Sequence, residues 1–243
     1  MFSGKTTLVT GATSGIGHQL CLELLDQGAR VIAVGRNTER LAELSRLSGD
    51  IRSINADLTE MQAYPSWFDL GEKIDGLVCS AGVYETTLMR YFSVAKHENI
   101  MRTNVTAPLA LIAELLKNRN FNTGASIVLL SSILGPVTGL IGSASYAASK
   151  AAIVGCAKTL ALELAKYSIR VNCVSPGMVK SEMTSGLGYM STEASNADKA
   201  RYPLGGRYAT VQEVTGPIRF LLSDAASFIT GTNMIIDGGC SAQ

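Results

Sequence analysis

The chain has little of what metal centres and histidine-based catalytic sites are built from. Its only histidines are His18 and His97, and neither HxxxH nor CxxC occurs in its 243 residues. A zinc site or a histidine triad is therefore not expected, and both histidines read as exposed helix positions. The five cysteines (Cys21, Cys79, Cys156, Cys173 and Cys240) are odd in number and scattered. That suits a reduced, cytoplasmic protein better than a disulfide framework. An excess of one charge is missing too. With 21 basic and 20 acidic residues the formal charge is +1, so nothing points to a nucleic-acid or membrane-surface partner. No apolar run approaches the ~20 residues that span a bilayer. The opening MFSGKTTLVTGA has no long apolar stretch ahead of a small-residue cleavage site, so a secretory signal is not expected.

What the chain does have is core-forming material in a regular alternation. Hydrophobic residues make up 47% of it, as in a globular protein. β-branched runs predict strands at 6–10, 30–34, 51–55, 75–80, 125–131, 169–174 and 233–237. Helical patterns lie between them, at 15–27, 38–47, 97–118, 145–166 and 211–222. Strands that are continuously apolar belong to a parallel sheet covered by helices on both faces. Right-handed crossovers then give an α/β fold with a doubly wound, Rossmann-like parallel sheet. With no repeat, low-complexity tract or linker, residues 1–243 read as a single domain. Pro65 and Trp67 make an irregular helix of the short segment between Asp57 and Asp75. The least regular stretch is 180–206, KSEMTSGLGYMSTEASNADKARYPLGG, after a strand whose end should border the ligand crevice. A substrate lid and a plain surface insertion both fit it.

TTLVTGATSGIGHQL joins the first strand to the first helix. Its glycines, Gly11, Gly15 and Gly17, stand where the backbone must turn tightly and approach a ligand. The freed amides and the positive helix end suit a pyrophosphate, with Thr13, Ser14 and Ile16 completing the loop. The spacing is G-x-x-x-G-x-G rather than G-x-G-x-x-G; its place between a strand and a helix gives it meaning. An NAD site wants an acid at the end of the second strand for the ribose hydroxyl. Here that strand ends VIAVGRN, with Gly35 in the acid's place and Arg36 next. An arginine can pair with a 2′-phosphate, and no carboxylate at the strand end repels it. NADP(H) is therefore expected in preference to NAD(H).

SASYAASKAA, residues 143–152, sets Tyr146 and Lys150 four positions apart, hence on one helical face with Cβ atoms about 5–6 Å apart. They are either two amphipathic side chains of an ordinary helix or an acid and the cation that tunes it. A free tyrosine, with a pKa near 10, exchanges protons poorly at neutral pH. Lys150, helped by the positive charge of an oxidised nicotinamide, is expected to stabilise phenolate and lower that pKa. Ala147 and Ala148 leave room for ligands.

TGATSGIG (10–17), ADL (56–58), CSAG (79–82), Asn104 in RTNVTAP, LLSS (129–132), YAASK (146–150), SPGMVKSEM (175–183) and DGG (237–239) follow one another along the chain. In that order and separation the sequence resembles the short-chain dehydrogenase/reductase family, in particular its 3-oxoacyl-thioester and carbonyl reductases. The resemblance implies Tyr146 as general acid/base and Ser132 as the group that polarises the substrate carbonyl. It implies Lys150 on the nicotinamide ribose and Asn104 supporting a water in the proton relay. Asp57 and Leu58 would border the adenine, Ala81 and Gly82 the ribose on the adenosine side. Pro176, Gly177, Val179 and Ser181 would flank the nicotinamide.

The sequence departs from the family pattern in places. Cys79-Ser80 stands where Asn-Asn is usual, which puts one asparagine contact in doubt. Ser132 precedes Tyr146 by 14 positions, one more than is common, and Ser131 competes for its role. Implied substrates are a 3-oxoacyl thioester, a ketose or a small ketone. Lys117 and Arg119 offer only a poor patch for an acidic acyl carrier. The helix at 145–166 is apolar around much of its circumference, and in this family it packs on its copy, so a homodimer or homotetramer is expected. The competing reading is an NADP(H)-binding regulatory or scaffold protein with little turnover; the presence of both Tyr146 and Lys150 speaks against it.

Overall fold

The computed structural model describes residues 2–67, 72–181 and 192–242. Strand β1 (Thr6–Thr10), helix α1 (Gly15–Asp26), β2 (Arg30–Gly35), α2 (Thr38–Leu47) and β3 (Ile51–Asn55) form the first half. The second half contains β4 (Ile74–Cys79), α3 (Val94–Met101), α4 (Ala107–Lys117), β5 (Phe121–Leu130), α5 (Ala144–Leu164) and β6 (Arg170–Pro176). It ends with α6 (Thr192–Ala200), α7 (Val211–Leu222) and β7 (Asn233–Ile236). The seven strands form one sheet in the order β3-β2-β1-β4-β5-β6-β7, every pair parallel. The winding direction reverses between β1 and β4. A crevice opens there at the carboxyl ends of the strands.

Burial on both faces explains why the strands read as unbroken apolar runs. Leu8 and Ile32 join Leu111, Leu115 and Ile153 of α4 and α5 in one core layer. Their neighbours Val9 and Val31 point the other way, onto Leu20 and Leu24 of α1 and Ile218 of α7. Each strand thus supplies two cores with alternate residues. Helix α7 begins in a capping box between Thr210 and Glu213, while α1 carries no acid in its first turn. The anion-attracting end of α1 is left for a ligand.

Two segments differ from the sequence reading. The helix expected at 97–118 starts earlier and is interrupted by a π turn at Arg102–Thr106. Pro108 explains the interruption: it has no N–H to give the carbonyl four residues back, which is that of Asn104, and its ring crowds that position. In the irregular 180–206 stretch, residues 182–191 lie outside the described residues. The following nine residues are helical α6, whose polar sequence TEASNADKA carries no apolar periodicity to announce it. Among the described residues no helix is long and apolar enough to cross a membrane.

Candidate active site

The loops after β1 to β6 meet around one cavity of about 440 Å³. The loop after β1 contributes Gly11, Thr13, Ser14, Gly15, Ile16 and Gly17. Arg36 comes from the end of β2, Asp57 and Leu58 from β3, Ala81 and Gly82 from β4. Ser132 follows β5, Tyr146 and Lys150 lie on α5, and Pro176, Gly177, Val179 and Ser181 follow β6. Asn104 stands apart. It is 3% exposed and sits behind the wall, not in it.

The glycine loop has the geometry a pyrophosphate needs. Gly11 has φ 69° and Gly15 φ 53°, left-handed values that favour glycine. A Cβ at Gly11 would come within 2.8 Å of the Ala81 nitrogen, and one at Gly17 would fall on the Gly11 carbonyl oxygen and Ser80 Oγ. The loop is closed from behind by Ser80, whose hydroxyl donates to the Thr10 carbonyl at 2.7 Å. Ser80 thus ties β4 to β1 from a position where asparagine is usual, and the contact in doubt from the sequence has a substitute. The cradle, with backbone amides at the start of α1 and a cavity running on from it, fits a dinucleotide.

Where Arg36 and Asp57 line the cavity, the structure adds two charges to the sequence reading. Arg36, with its side chain 73% exposed, lies 3.5 Å from Asp57 Oδ2. A carboxylate is therefore next to it after all, brought over from the end of β3. Asp57 also accepts from the Thr59 amide at 2.8 Å and the Thr59 hydroxyl at 2.7 Å. These bonds, with Arg36 as a smaller cause, hold its carboxyl below the usual range. One turn into α2, Arg40 Nη1 donates to the Thr13 carbonyl at 2.9 Å. Sequence reasoning passed Arg40 over because it looks like any exposed helix arginine.

The other end gathers hydroxyls. Tyr146 and Ser132 both line the cavity, near enough for the Ser132 hydroxyl to act on the Tyr146 phenol. Ser131 is turned away, its hydroxyl donating to the Lys150 carbonyl at 2.8 Å, so of the two serines Ser132 is the one whose hydroxyl acts on Tyr146. The Tyr84 ring stands edge-on to that of Tyr146 with centroids 4.9 Å apart, an aromatic wall the sequence did not single out. Lys150 is 4% exposed, and its Nζ donates to the Leu130 carbonyl at 2.7 Å. Burial lowers its pKa to about 8, partly offset by Cys173 and Cys79.

The expected drop in the Tyr146 pKa is not found. Burial pushes it up to about 12, partly offset by the nearby Ser132 hydroxyl. The cause is distance and direction: Lys150 Nζ is 5.6 Å from the Tyr146 ring centroid and spends its bond on the backbone.

Asn104 acts on the same corner from behind. Its Oδ1 accepts from the Val83 amide at 2.8 Å, and its Nδ2 donates to the Val83 carbonyl and to Ser149 Oγ, each at 3.0 Å. It thereby joins the loop after β4 to α5. The far wall includes Asp198, Arg201 and Tyr202, around and just beyond the end of α6. The Tyr202 hydroxyl accepts from the Met178 amide at 3.1 Å.

A strand-end crevice with a glycine cradle at one end and paired hydroxyls at the other defines an oxidoreductase on a nucleotide-binding fold. The model of a protein family described as enoyl-(acyl carrier protein) reductase matches residues 11–241. A 3-oxoacyl-[acyl-carrier-protein] reductase FabG of Rickettsia felis is 35% identical over 238 residues, 98% of this chain and 97% of that protein. A structure described as that of an NAD(P)-dependent gluconate 5-dehydrogenase from Beutenbergia cavernae, with NADP bound at low occupancy, has a TM-score of 0.89. It is 32% identical, with 99% of this chain and 98% of that one covered. A 4-hydroxyisoleucine dehydrogenase complexed with NADH has a TM-score of 0.90 at 30% identity, covering 99% of this chain and 100% of that one. The chain belongs to the short-chain dehydrogenase/reductase family and is an oxidoreductase acting between CH–OH and carbonyl groups.

Proposed function

We propose that the chain is an NADP(H)-dependent carbonyl reductase in which Tyr146 is the general acid/base. The observation that carries this reading is the placing of the Ser132 and Tyr146 hydroxyls beside each other in the cavity that also contains the glycine cradle. Two neighbouring hydroxyls suit a single acceptor oxygen such as a carbonyl presents. The nicotinamide supplies or accepts the hydride when bound.

In reduction Tyr146 gives its proton to the carbonyl oxygen while Ser132 donates to the same developing alkoxide; oxidation of a secondary alcohol runs these transfers backwards. Lys150 holds the nicotinamide ribose, and the oxidised nicotinamide, when bound, would add the positive charge that favours the phenolate form. Asn104, whose carbonyl loses its α-helical donor to Pro108, holds the water that replenishes the Tyr146 proton. The glycine loop takes the pyrophosphate and Arg36 a 2′-phosphate. Asp57 and Leu58 border the adenine, and Ala81 and Gly82 the adjacent ribose. Pro176, Gly177, Val179 and Ser181 flank the nicotinamide.

The stretch 180–206 serves as the substrate lid of a single domain. Exposed Leu162 on α5 supports packing of that helix on a second copy, in a cytoplasmic homodimer or homotetramer. Light scattering of the purified chain tests the assembly. The name of the Rickettsia felis relative puts 3-oxoacyl thioesters first among substrates, ahead of ketoses and small ketones. The decisive experiment is NADPH and NADH oxidation against a panel of those three classes plus an enoyl thioester. Turnover of a ketone substrate with NADPH, lost in Tyr146→Phe, supports the reading. Turnover of the enoyl thioester alone, or preference for NADH, overturns it.

A further inference from the structure

We propose that Tyr84 is a positioning residue for the reaction: its ring fixes the orientation of the Tyr146 ring, and so the place of the phenol hydroxyl beside Ser132. The proposal rests on the reading of Tyr146 as the general acid/base.

Tyr146 has little on its own helix to hold it. It stands in the first turn of α5, between Ser145 and Ala147. The residues three and four positions away, Gly142, Ser143, Ser149 and Lys150, are the ones on its side of the helix. Three of them are small. Lys150 is turned to the Leu130 carbonyl, with its Nζ 5.6 Å from the Tyr146 ring centroid. The restraint on the ring comes instead from the loop after β4. There the Tyr84 ring stands at 90° to that of Tyr146, with centroids 4.9 Å apart. This edge-to-face arrangement favours one relative orientation of the two rings.

A side chain that positions another must itself be held, and Tyr84 is. Asn104 engages both the amide and the carbonyl of Val83, which fixes the chain immediately before Tyr84. The Thr87 amide donates to the Gly142 carbonyl at 2.7 Å, which fixes it three residues after. The Tyr84 hydroxyl lies 3.3 Å from Ser143 Oγ, in a long hydrogen bond. Ser143 is the N-cap residue of α5 and 1% exposed, yet its side chain does not cap the helix. The loop thus grips the start of α5 at Gly142, at Ser143 and at the Tyr146 ring. A hydrogen bond of that length is weak, so the ring of Tyr84 matters more than its hydroxyl. Tyr84 also lines the cavity, and a mere wall for substrate is the competing role. The two separate kinetically, because a wall acts on KM and a positioning residue on kcat.

The test reduces acetoacetyl-coenzyme A with NADPH, using the full chain, Tyr84→Leu, Tyr84→Phe and Tyr146→Phe. Tyr84→Leu should lower kcat by about 10²-fold, the scale of a small misplacement of a catalytic group. KM and NADPH affinity should stay within about threefold. Tyr84→Phe, which keeps the ring, should recover most of the loss. Equal losses in Tyr84→Leu and Tyr84→Phe would overturn the proposal by assigning the effect to the hydroxyl. A raised KM with kcat kept would overturn it and leave Tyr84 as a wall. Wild-type activity in Tyr146→Phe would overturn the acid/base reading, and this proposal with it. Crystal structures of the wild type and Tyr84→Leu add a readout that needs no substrate. The Tyr146 ring should be displaced in the variant, or take more than one orientation. A ring left in place would overturn the proposal whichever ketone the enzyme reduces. Tyr84→Met takes the place of Tyr84→Leu in both experiments if the leucine variant does not fold.

Discussion

Lys150 Nζ donates to the Leu130 carbonyl at 2.7 Å, at the last residue of β5. The bond couples the charge on α5 to the strand that ends just before Ser132, so one lysine organises the corner where Ser132 and Tyr146 meet. Its cost is the desolvation of an ammonium among apolar neighbours and the thiols of Cys79 and Cys173, both themselves pushed up to about 12 by burial. The site holds a cation where folding alone would prefer none.

That cost has a pH signature. Burial lowers the Lys150 pKa from 10.5 to about 8. Between those values the unfolded chain keeps a proton that the folded chain has released, so Lys150 makes the fold more stable as pH rises through the window. Below about 8 the penalty is present in full. Relative to Lys150→Met, the wild type should gain up to about 1.4 kcal/mol per pH unit within that window. Urea unfolding of both at about pH 7 and pH 9.5 measures it. A stability difference that does not change with pH would mean that Lys150 keeps an ordinary pKa in the fold.

Removing the Tyr146 hydroxyl should spare binding. Tyr146→Phe keeps the ring that packs edge-on against Tyr84 and should lower kcat by about 10²- to 10⁴-fold, with NADPH affinity changed less than about threefold. Ser132→Ala removes the second donor and should cost about 10²- to 10³-fold. Steady-state kinetics beside fluorescence titration separates the two quantities. A Tyr146→Phe variant with near-normal kcat would remove the tyrosine from the mechanism.

Two glycines should respond oppositely to alanine. At Gly17 the new methyl meets the Gly11 carbonyl and Ser80 Oγ, so Gly17→Ala should distort the cradle and lose cofactor binding. Gly216 lies inside α7 with nothing within 4 Å of a Cβ. Gly216→Ala should therefore stabilise by about 0.5–1 kcal/mol. Thermal unfolding and NADPH titration of the pair check both directions.

Asn104→Ala should damage stability and catalysis together. It leaves the Val83 amide and carbonyl without their side-chain partners and frees Ser149 Oγ. A loss of about 2–4 kcal/mol is expected from two or more groups stranded in a mostly buried corner. Asn104→Asp keeps the acceptor for the Val83 amide and forfeits the donor. It should fold better than the alanine variant, as urea midpoints would reveal.

Much of this was legible in the chain because the signals are local. The glycine spacing, the Tyr146–Lys150 interval and the apolar strands each encode a backbone shape or a face within a few residues, and all of them stand in the structure. Local signals also fail in recognisable ways. The π turn around Asn104 depends on Pro108 four residues ahead of it in a run that otherwise reads as plain helix. Helix α6 has no apolar stripe because the residues on its half-buried face, Ser195, Asp198 and Lys199, are polar.

Tertiary structure alone decided how charges from different strands combine. Asp57 reaches Arg36 from β3, Arg40 reaches Thr13 from α2, and Lys150 turns to Leu130 rather than to Tyr146. Periodicity places a side chain on a face, but which partner it finds depends on parallel strands brought side by side from tens of residues apart, and on how much water their packing removes. The sequence by itself determined the doubly wound sheet, its glycine cradle and the hydroxyls of Ser132 and Tyr146 at the other end of the cavity. The direction of the Tyr146 and Lys150 pKa shifts, and the second arginine bound to the glycine loop, follow from burial and from contacts made between strands and helices that are distant in the chain.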